Sequence, residues 1–213
     1  MAWTTRTRMD AAGQIGILQS RQVSPRTADV KQANMLLAKM KATADTQKLV
    51  YGYLPEPLRT LAVTDASHRT LPNDGSMGAF VLLLQSDAGG LSGKVQIMQF
   101  GARRLRRVTK SSFGSETLAG VNGCEAAPGL AALLLDLQTP NATARRLQDR
   151  LDIGDGISID LVVDCESLSG AMRTSHDVSD SSSQLYINGL RDELASRRLR
   201  SANWVDTKDM MID

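Results

Sequence analysis

Three short apolar runs open the regular part of the chain, at 61–65, 78–84 and 94–100, each of strand length and rich in Val, Leu, Ile or Phe. Asn73-Asp74-Gly75 separates the first two, and a stretch from Asp87 to Gly90 separates the second and third. Turn chemistry at such short spacing predicts antiparallel hairpins. The period then lengthens. Residues 115–127 read as a helix that breaks at Pro128-Gly129, and 130–137 continue as a second apolar helical piece. A short helix over 142–151 leads into 157–164, a candidate buried strand. Ser181, Ser182 and Ser183 precede a helix on which Tyr186, Leu190 and Leu194 share a face, and a last strand over 202–205 ends near Asp206. Ahead of all this, Thr27 and Asp29 supply helix-start chemistry for a run whose Val30, Leu37 and Met40 recur at helical spacing, with Ala33 and Asn34 between. An apolar run at 49–54 is closed by Pro55-Glu56-Pro57, which predicts a boundary between residues 1–57 and 58–213. Three strands, helices, a strand, helices and a strand predict an α/β fold: a mixed five-stranded sheet flanked by helices and preceded by a short helical segment.

Composition changes this picture little. With 42% hydrophobic and 4% aromatic residues, the core must rest on aliphatic side chains. No uninterrupted apolar run approaches the roughly 18 residues of a membrane span, and the first residues lack a secretory signal, so an intracellular, membrane-free protein is expected. Cys124 and Cys165 have neither disulfide-framework nor zinc spacing and are expected to be buried free thiols. The net charge of +2 says less than its distribution. Arg103, Arg104, Arg106, Arg107 and Lys110 crowd eight positions, and Arg197, Arg198 and Arg200 form a second group. The first group reads equally as a phosphate-neutralising patch or as a solvated loop.

Candidate chemistry lies at strand ends. Asp65 closes the first apolar run and Asp164 closes the fourth, where ligands bind in open sheets. Taken singly, each aspartate is explained by capping a turn. If the two strands are parallel neighbours, their carboxylates converge, and a cation is the natural remedy for the repulsion. Glu116, in the first turn of the long helix, is placed to join them, although the helix dipole alone would favour an acid there. Oxygen ligands with open positions suit magnesium or manganese. His68 and His176 lie in loop-like surroundings and are expected to be solvated. Ser167 is expected to cap the helix that follows Asp164.

Several of these segments resemble the ribonuclease H domain of copia-type retrotransposon Pol polyproteins. Asp65-Ala66-Ser67, followed by Ser76-Met77-Gly78, is similar to that family's first-strand motif and the small-residue element after it. The stretch from Lys110 through Ser115-Glu116 is similar to its helix-start motif, Asp164-Cys165-Glu166-Ser167 to its third motif, and Trp204-Val205-Asp206-Thr207 through Asp213 to its terminal motif. The chain departs from the pattern at Gly114, Cys165, Tyr186 and Asp206, and none of these is a metal ligand.

The resemblance implies a ribonuclease H-like domain over 58–213, with residues 1–57 as the tail of the preceding reverse-transcriptase region. It implies that Asp65, Glu116, Asp164 and Asp213 hold two magnesium or manganese ions; Asp213, the last residue, is expected to be loosely held. It implies cleavage of the RNA strand of RNA–DNA hybrids, with Ser67, Asn73 and Ser112 meeting sugar or phosphate groups and the Arg103 to Lys110 cluster meeting phosphates. The reverse-transcriptase region of the same polyprotein is the implied protein partner, in a cytoplasmic virus-like particle or the nucleus. Two other readings stand beside this one: a catalytically inactive ribonuclease H-like structural or nucleic-acid-binding module of a decayed polyprotein, and a nuclease or integrase of the same broad fold that acts on DNA.

Overall fold

The computed structural model describes residues 7–71, 73–87 and 90–210. A turn of 3₁₀ helix at Met9–Ala11 leads into α1 (Ala12–Ser20), and α2 (Thr27–Ala42) follows. The sheet strands are β1 (Leu58–Leu71), β2 (Gly75–Ser86) and β3 (Val95–Arg104), then β4 (Ser158–Val163) and β5 (Ser201–Trp204). Helices α3 (Ser112–Gln138) and α4 (Ala144–Asp152) lie between β3 and β4, and α5 (Glu166–Arg173) and α6 (Ser181–Ala195) lie between β4 and β5. The strand order is β3-β2-β1-β4-β5. Strands β1, β2 and β3 pair antiparallel as consecutive hairpins, whereas β1–β4 and β4–β5 are parallel, because each of those connections returns through helices. This is the mixed five-stranded sheet, flanked by helices, that the sequence pattern and the resemblance imply.

The alternation along β1 explains how the sheet is covered on both faces. Ala62, with Leu82, Leu161 and Val163, faces a cluster built by α3, α5 and α6 through Ala127, Ala131, Leu168, Ile187 and Leu190. Leu61 and Val63, with Val81, Leu83 and Val162, form the opposite face, where Met9 and Met210 pack. Helix α1 crosses β3 closely: a Cβ on Gly16 would come within 2.7 Å of the Ala102 carbonyl oxygen. Behind it, Ile15 and Leu18 of α1 pack with Leu36 and Met40 of α2. Asp29 sets the start of α2, accepting from the Arg26 N–H at 2.8 Å and from the Arg21 guanidinium at 2.7 Å.

Three sequence expectations are corrected. The helix expected to break at Pro128 is continuous over 27 residues. Proline removes one helical hydrogen bond, but both halves of α3 bury small or apolar residues, Gly120, Gly123 and Ala127 before it and Leu130, Ala131 and Leu135 after it. Among the described residues α3 alone is long and apolar enough to cross a membrane by length and composition; one face of it is buried against the sheet, and Leu133 and Leu137 on it are exposed. The buried face of α2 is also rotated from the expected one: Leu36 and Met40 are buried, and Val30 and Leu37 are exposed. The hairpin strands, finally, outrun their apolar centres. β1 continues past Asp65 to Leu71, held by its antiparallel partner, and only its pairing with β4 stops at Thr64 opposite Val163.

At the other end of that parallel pair lies an ion network that composition could not announce. Asp160 of β4 is fully buried. It accepts from Arg59 of β1 at 3.2 Å, from the Arg200 Nε at 2.9 Å and from the Ser201 hydroxyl at 2.7 Å, and Arg59 also donates to Gln85 of β2. Four strands thus meet in one set of buried charged hydrogen bonds. Sliding β1 by one residue along β4 would leave Arg59 and Asp160 buried without each other. Asp160→Asn is therefore expected to cost about 3 kcal/mol in a denaturant titration. A loss under 1 kcal/mol, a size typical of an exposed ion pair, would show that the network does not set the register.

Candidate metal centre

The parallel register brings the strand-end acids together. Thr64 pairs with Val163, so the next residues, Asp65 and Asp164, leave the paired stretch side by side. The third acid comes from α3. Ser111 caps that helix, its hydroxyl accepting from the Gly114 N–H at 3.1 Å, and Glu116 follows one turn later. The helix lies close to β1 because Gly123 leaves room: a Cβ there would sit 2.4 Å from the Thr64 methyl. As a result one carboxylate oxygen from each of Asp65, Glu116 and Asp164 lies within 4.8 Å of the others.

Glu116 is the least solvated of the three, only 8% exposed. Its Oε1 accepts from the Ala66 N–H at 3.2 Å, while its Oε2 is buried with no hydrogen-bond partner. Burial, reinforced by the negative charges of Asp65 and Asp164, pushes its carboxyl up to about 8. A carboxyl group with a buried, unpartnered oxygen, clustered with two further carboxylates, is a costly arrangement unless a cation completes it. Three hard oxygen donors without sulfur or imidazole fit magnesium or manganese better than zinc.

The other expected site residues fall differently. Asp213 lies outside the described residues. Ser67 is half-buried, 2.6 Å from the Thr70 hydroxyl, and Ser112 is exposed in the first turn of α3. Asn73, like Asp74, has a positive φ at the β1–β2 turn, so its local role is the hairpin. Arg103, Arg104, Arg106, Arg107 and Lys110 are all exposed, at the end of β3 and in the loop that leads into α3. Arg103 donates to Asn122 at 2.6 Å, and Arg107 lies 5.3 Å over the Tyr186 ring. Arg197, Arg198 and Arg200 stand apart from this loop, and Arg200 belongs to the Asp160 network. Cys124 and Cys165 are free and only partly buried. Burial pushes the Cys124 thiol up to about 12, which removes it from thiolate chemistry. Cys165, not Ser167, is the N-cap of α5, and Ser167 lies inside the helix.

Sequence reasoning missed a polar cluster beside Glu116. His68 is not in a solvated loop but on β1, with its Nδ1 3.0 Å from the Ser115 hydroxyl and 3.3 Å from the Thr109 hydroxyl. Thr109 is also 2.7 Å from Ser115 and 2.8 Å from Ser76, all three hydroxyls being buried. This network ties the β1–β2 hairpin and the arginine-bearing loop to the turn of α3 that carries Glu116. Its members span 48 positions of sequence and form no motif, so no local pattern could have revealed it. The departure at Gly114 also has a reason: a Cβ there would crowd Asp180 and Ser183, which bring the start of α6 against Ser111.

The sequence matches no known family model and no curated protein. Among solved structures, ribonuclease H1 of the halophilic archaeon Halobacterium salinarum is similar, at 19% identity and a TM-score of 0.45, over 70% of this chain and 87% of that one. LC11-RNase H1, solved in complex with an RNA/DNA hybrid, is similar at 9% identity and a TM-score of 0.45, over 72% and 89%. The N-terminal ribonuclease H domain of a Mycobacterium tuberculosis protein, solved as a fusion with maltose-binding protein, is similar at 12% identity and a TM-score of 0.40, over 72% and 86%.

A pH effect follows from Glu116. Its folded-state pKa of about 8 lies above the ordinary 4.5, so the folded chain holds this proton more tightly than the unfolded chain does. The stability it contributes is complete below about pH 4.5 and is lost as pH rises through about 8. Without divalent ions, the thermal midpoint should fall across that window, and Glu116→Gln should flatten the fall. Parallel curves for the two proteins would show that Glu116 is not the group responsible.

Proposed function

We propose that this chain is a metal-dependent endoribonuclease of the ribonuclease H type that cleaves the RNA strand of RNA–DNA hybrids. The observation that carries the reading is the carboxylate cluster at the end of the parallel strands, with its unpartnered buried Glu116 oxygen. Asp65, Glu116 and Asp164 would hold magnesium or manganese, and Asp213 is proposed as the fourth ligand of a site for two ions. Ions bound there would supply a water acidic enough to attack phosphorus and positive charge for the departing oxygen.

The chain's own groups do the rest. The parallel register presents Asp65 and Asp164 side by side, and the Ala66 N–H holds one oxygen of Glu116 while the other stays buried without a hydrogen bond. No hydroxyl or thiol nucleophile is needed. The exposed loop with Arg106, Arg107 and Lys110 is proposed to neutralise substrate phosphates, along with Arg103 and Arg104 at the end of β3, and would make binding salt-sensitive and sequence-independent. Ser67, Asn73 and Ser112 are proposed to meet sugar hydroxyls or phosphates of the hybrid, whose A-like form is read by shape and 2′-hydroxyls. In the finer reading the chain works within a copia-type Pol polyprotein beside its reverse-transcriptase region, inside the cell; the motif order described above supports it.

A labelled RNA–DNA hybrid incubated with the protein and magnesium should lose only its RNA strand. Asp164→Asn should slow this by at least about a hundredfold while hybrid binding in a gel-shift assay is kept. Cleavage that survives Asp164→Asn, or attack on duplex DNA instead, would reject the assignment. Hybrid binding by the wild type without any cleavage would favour the inactive-module reading.

A further inference from the structure

Asp164 leaves β4 beside the end of β5, and the chain that follows β5 closes back on it. The Trp204 indole N–H donates to the Asp164 carbonyl at 2.9 Å, and the Val205 N–H donates to the Val163 carbonyl at 3.0 Å. Asp206 then starts a single turn, Thr207–Asp209, by accepting from the Lys208 N–H at 3.2 Å. Its φ of −66° is the angle a proline would impose, so the aspartate gives the turn the same entry while adding a capping bond. Within that turn the Thr207 hydroxyl donates to Asp164 Oδ2 at 3.0 Å. Met210, directly after it, is buried with Leu61, Val63 and Val162. The turn is thus anchored on both sides: by backbone and indole bonds before it, and by an apolar side chain after it.

A carboxylate on a strand end can rotate about two bonds, and an ionised one only accepts hydrogen bonds. A donor held against one oxygen fixes that rotation and determines where the second oxygen points. We infer that Thr207 is a positioning residue for Asp164, and that the segment from Trp204 to Met210 serves to aim this carboxylate into the cluster with Asp65 and Glu116. The inference rests on the metal-centre reading above for its consequence and on the geometry alone for its premise. An exposed threonine would otherwise be free to form this bond or not. Here the two anchors hold it in place before the bond is made, so little freedom is lost in forming it.

Two variants test the inference in the full chain. Thr207→Val keeps the shape and removes the donor, and Thr207→Ser keeps the donor. In metal-free protein, the carbon resonance of the Asp164 carboxyl group should move in Thr207→Val and stay at its wild-type position in Thr207→Ser. Manganese binding, measured by titration calorimetry, should weaken about tenfold in Thr207→Val and by less than about twofold in Thr207→Ser, with similar thermal midpoints. An unmoved resonance in Thr207→Val, or a Thr207→Ser protein as impaired as Thr207→Val, overturns the inference. A wild-type chain that binds no manganese, but whose Asp164 resonance still moves in Thr207→Val, would reject the nuclease reading and leave the positioning role standing.

Discussion

The parallel register of β1 on β4 is the constraint from which the rest of the molecule follows. At its start, a buried arginine on one strand meets a buried aspartate on the other, with Gln85, Arg200 and Ser201 completing the hydrogen bonds. At its finish, two aspartates emerge side by side, in a cluster with Glu116. The same pairing therefore satisfies charge at one end of the sheet and concentrates it at the other. Buried charges tolerate displacement badly, because each loses its partner while remaining out of water. The satisfied end thereby holds in place the end where like charges have been brought together.

A third carboxylate reaches that cluster only because a long helix is allowed to lie almost on the sheet. Gly123 gives α3 its close approach to Thr64, and Gly114 leaves room for the Asp180 contacts with Ser111 and Ser183 that brace its first turn. The hydroxyls of Ser76, Thr109 and Ser115, with the His68 ring, lock the same turn from the hairpin side. Held in this way, Glu116 cannot swing out to water. Its raised pKa is the electrostatic cost of that confinement, and a bound divalent cation is what would remove it.

The second face of the sheet shows why residues before Pro55 belong to any account of this fold. Leu61, Val63, Val81 and Leu83 would be open to water on that side without the chain segments that bring Met9 and Met210 against them. One cover comes from the N-terminal region and the other from the segment that also carries Thr207. The element that seals the core is thus continuous with the element that grips Asp164.

The alternation of apolar residues was enough to place five strands, to pair the first three as hairpins and to flag Asp65 and Asp164, because strand period and turn chemistry are local properties. Glu116 was legible only through the motif that carries the resemblance and as an acid near a helix start; the helix begins at Ser112, so Glu116 lies beyond its first turn. Helix continuity through Pro128 was not, since a local penalty was outweighed by burial on a sheet assembled from distant segments. The inward face of α2 was missed for a similar reason: Val30 and Leu37 obey the same periodicity as Leu36 and Met40, and only the position of α1 decides which side is buried. The Asp160 network, the His68 cluster and the Thr207 contact depend on bonds between residues from 40 to 101 positions apart, which no spacing encodes. The amino-acid sequence by itself thus determined which residues carry charge and where strands end, whereas the tertiary structure alone decided which charges meet, because the distance between carboxylates is set by strand order and register.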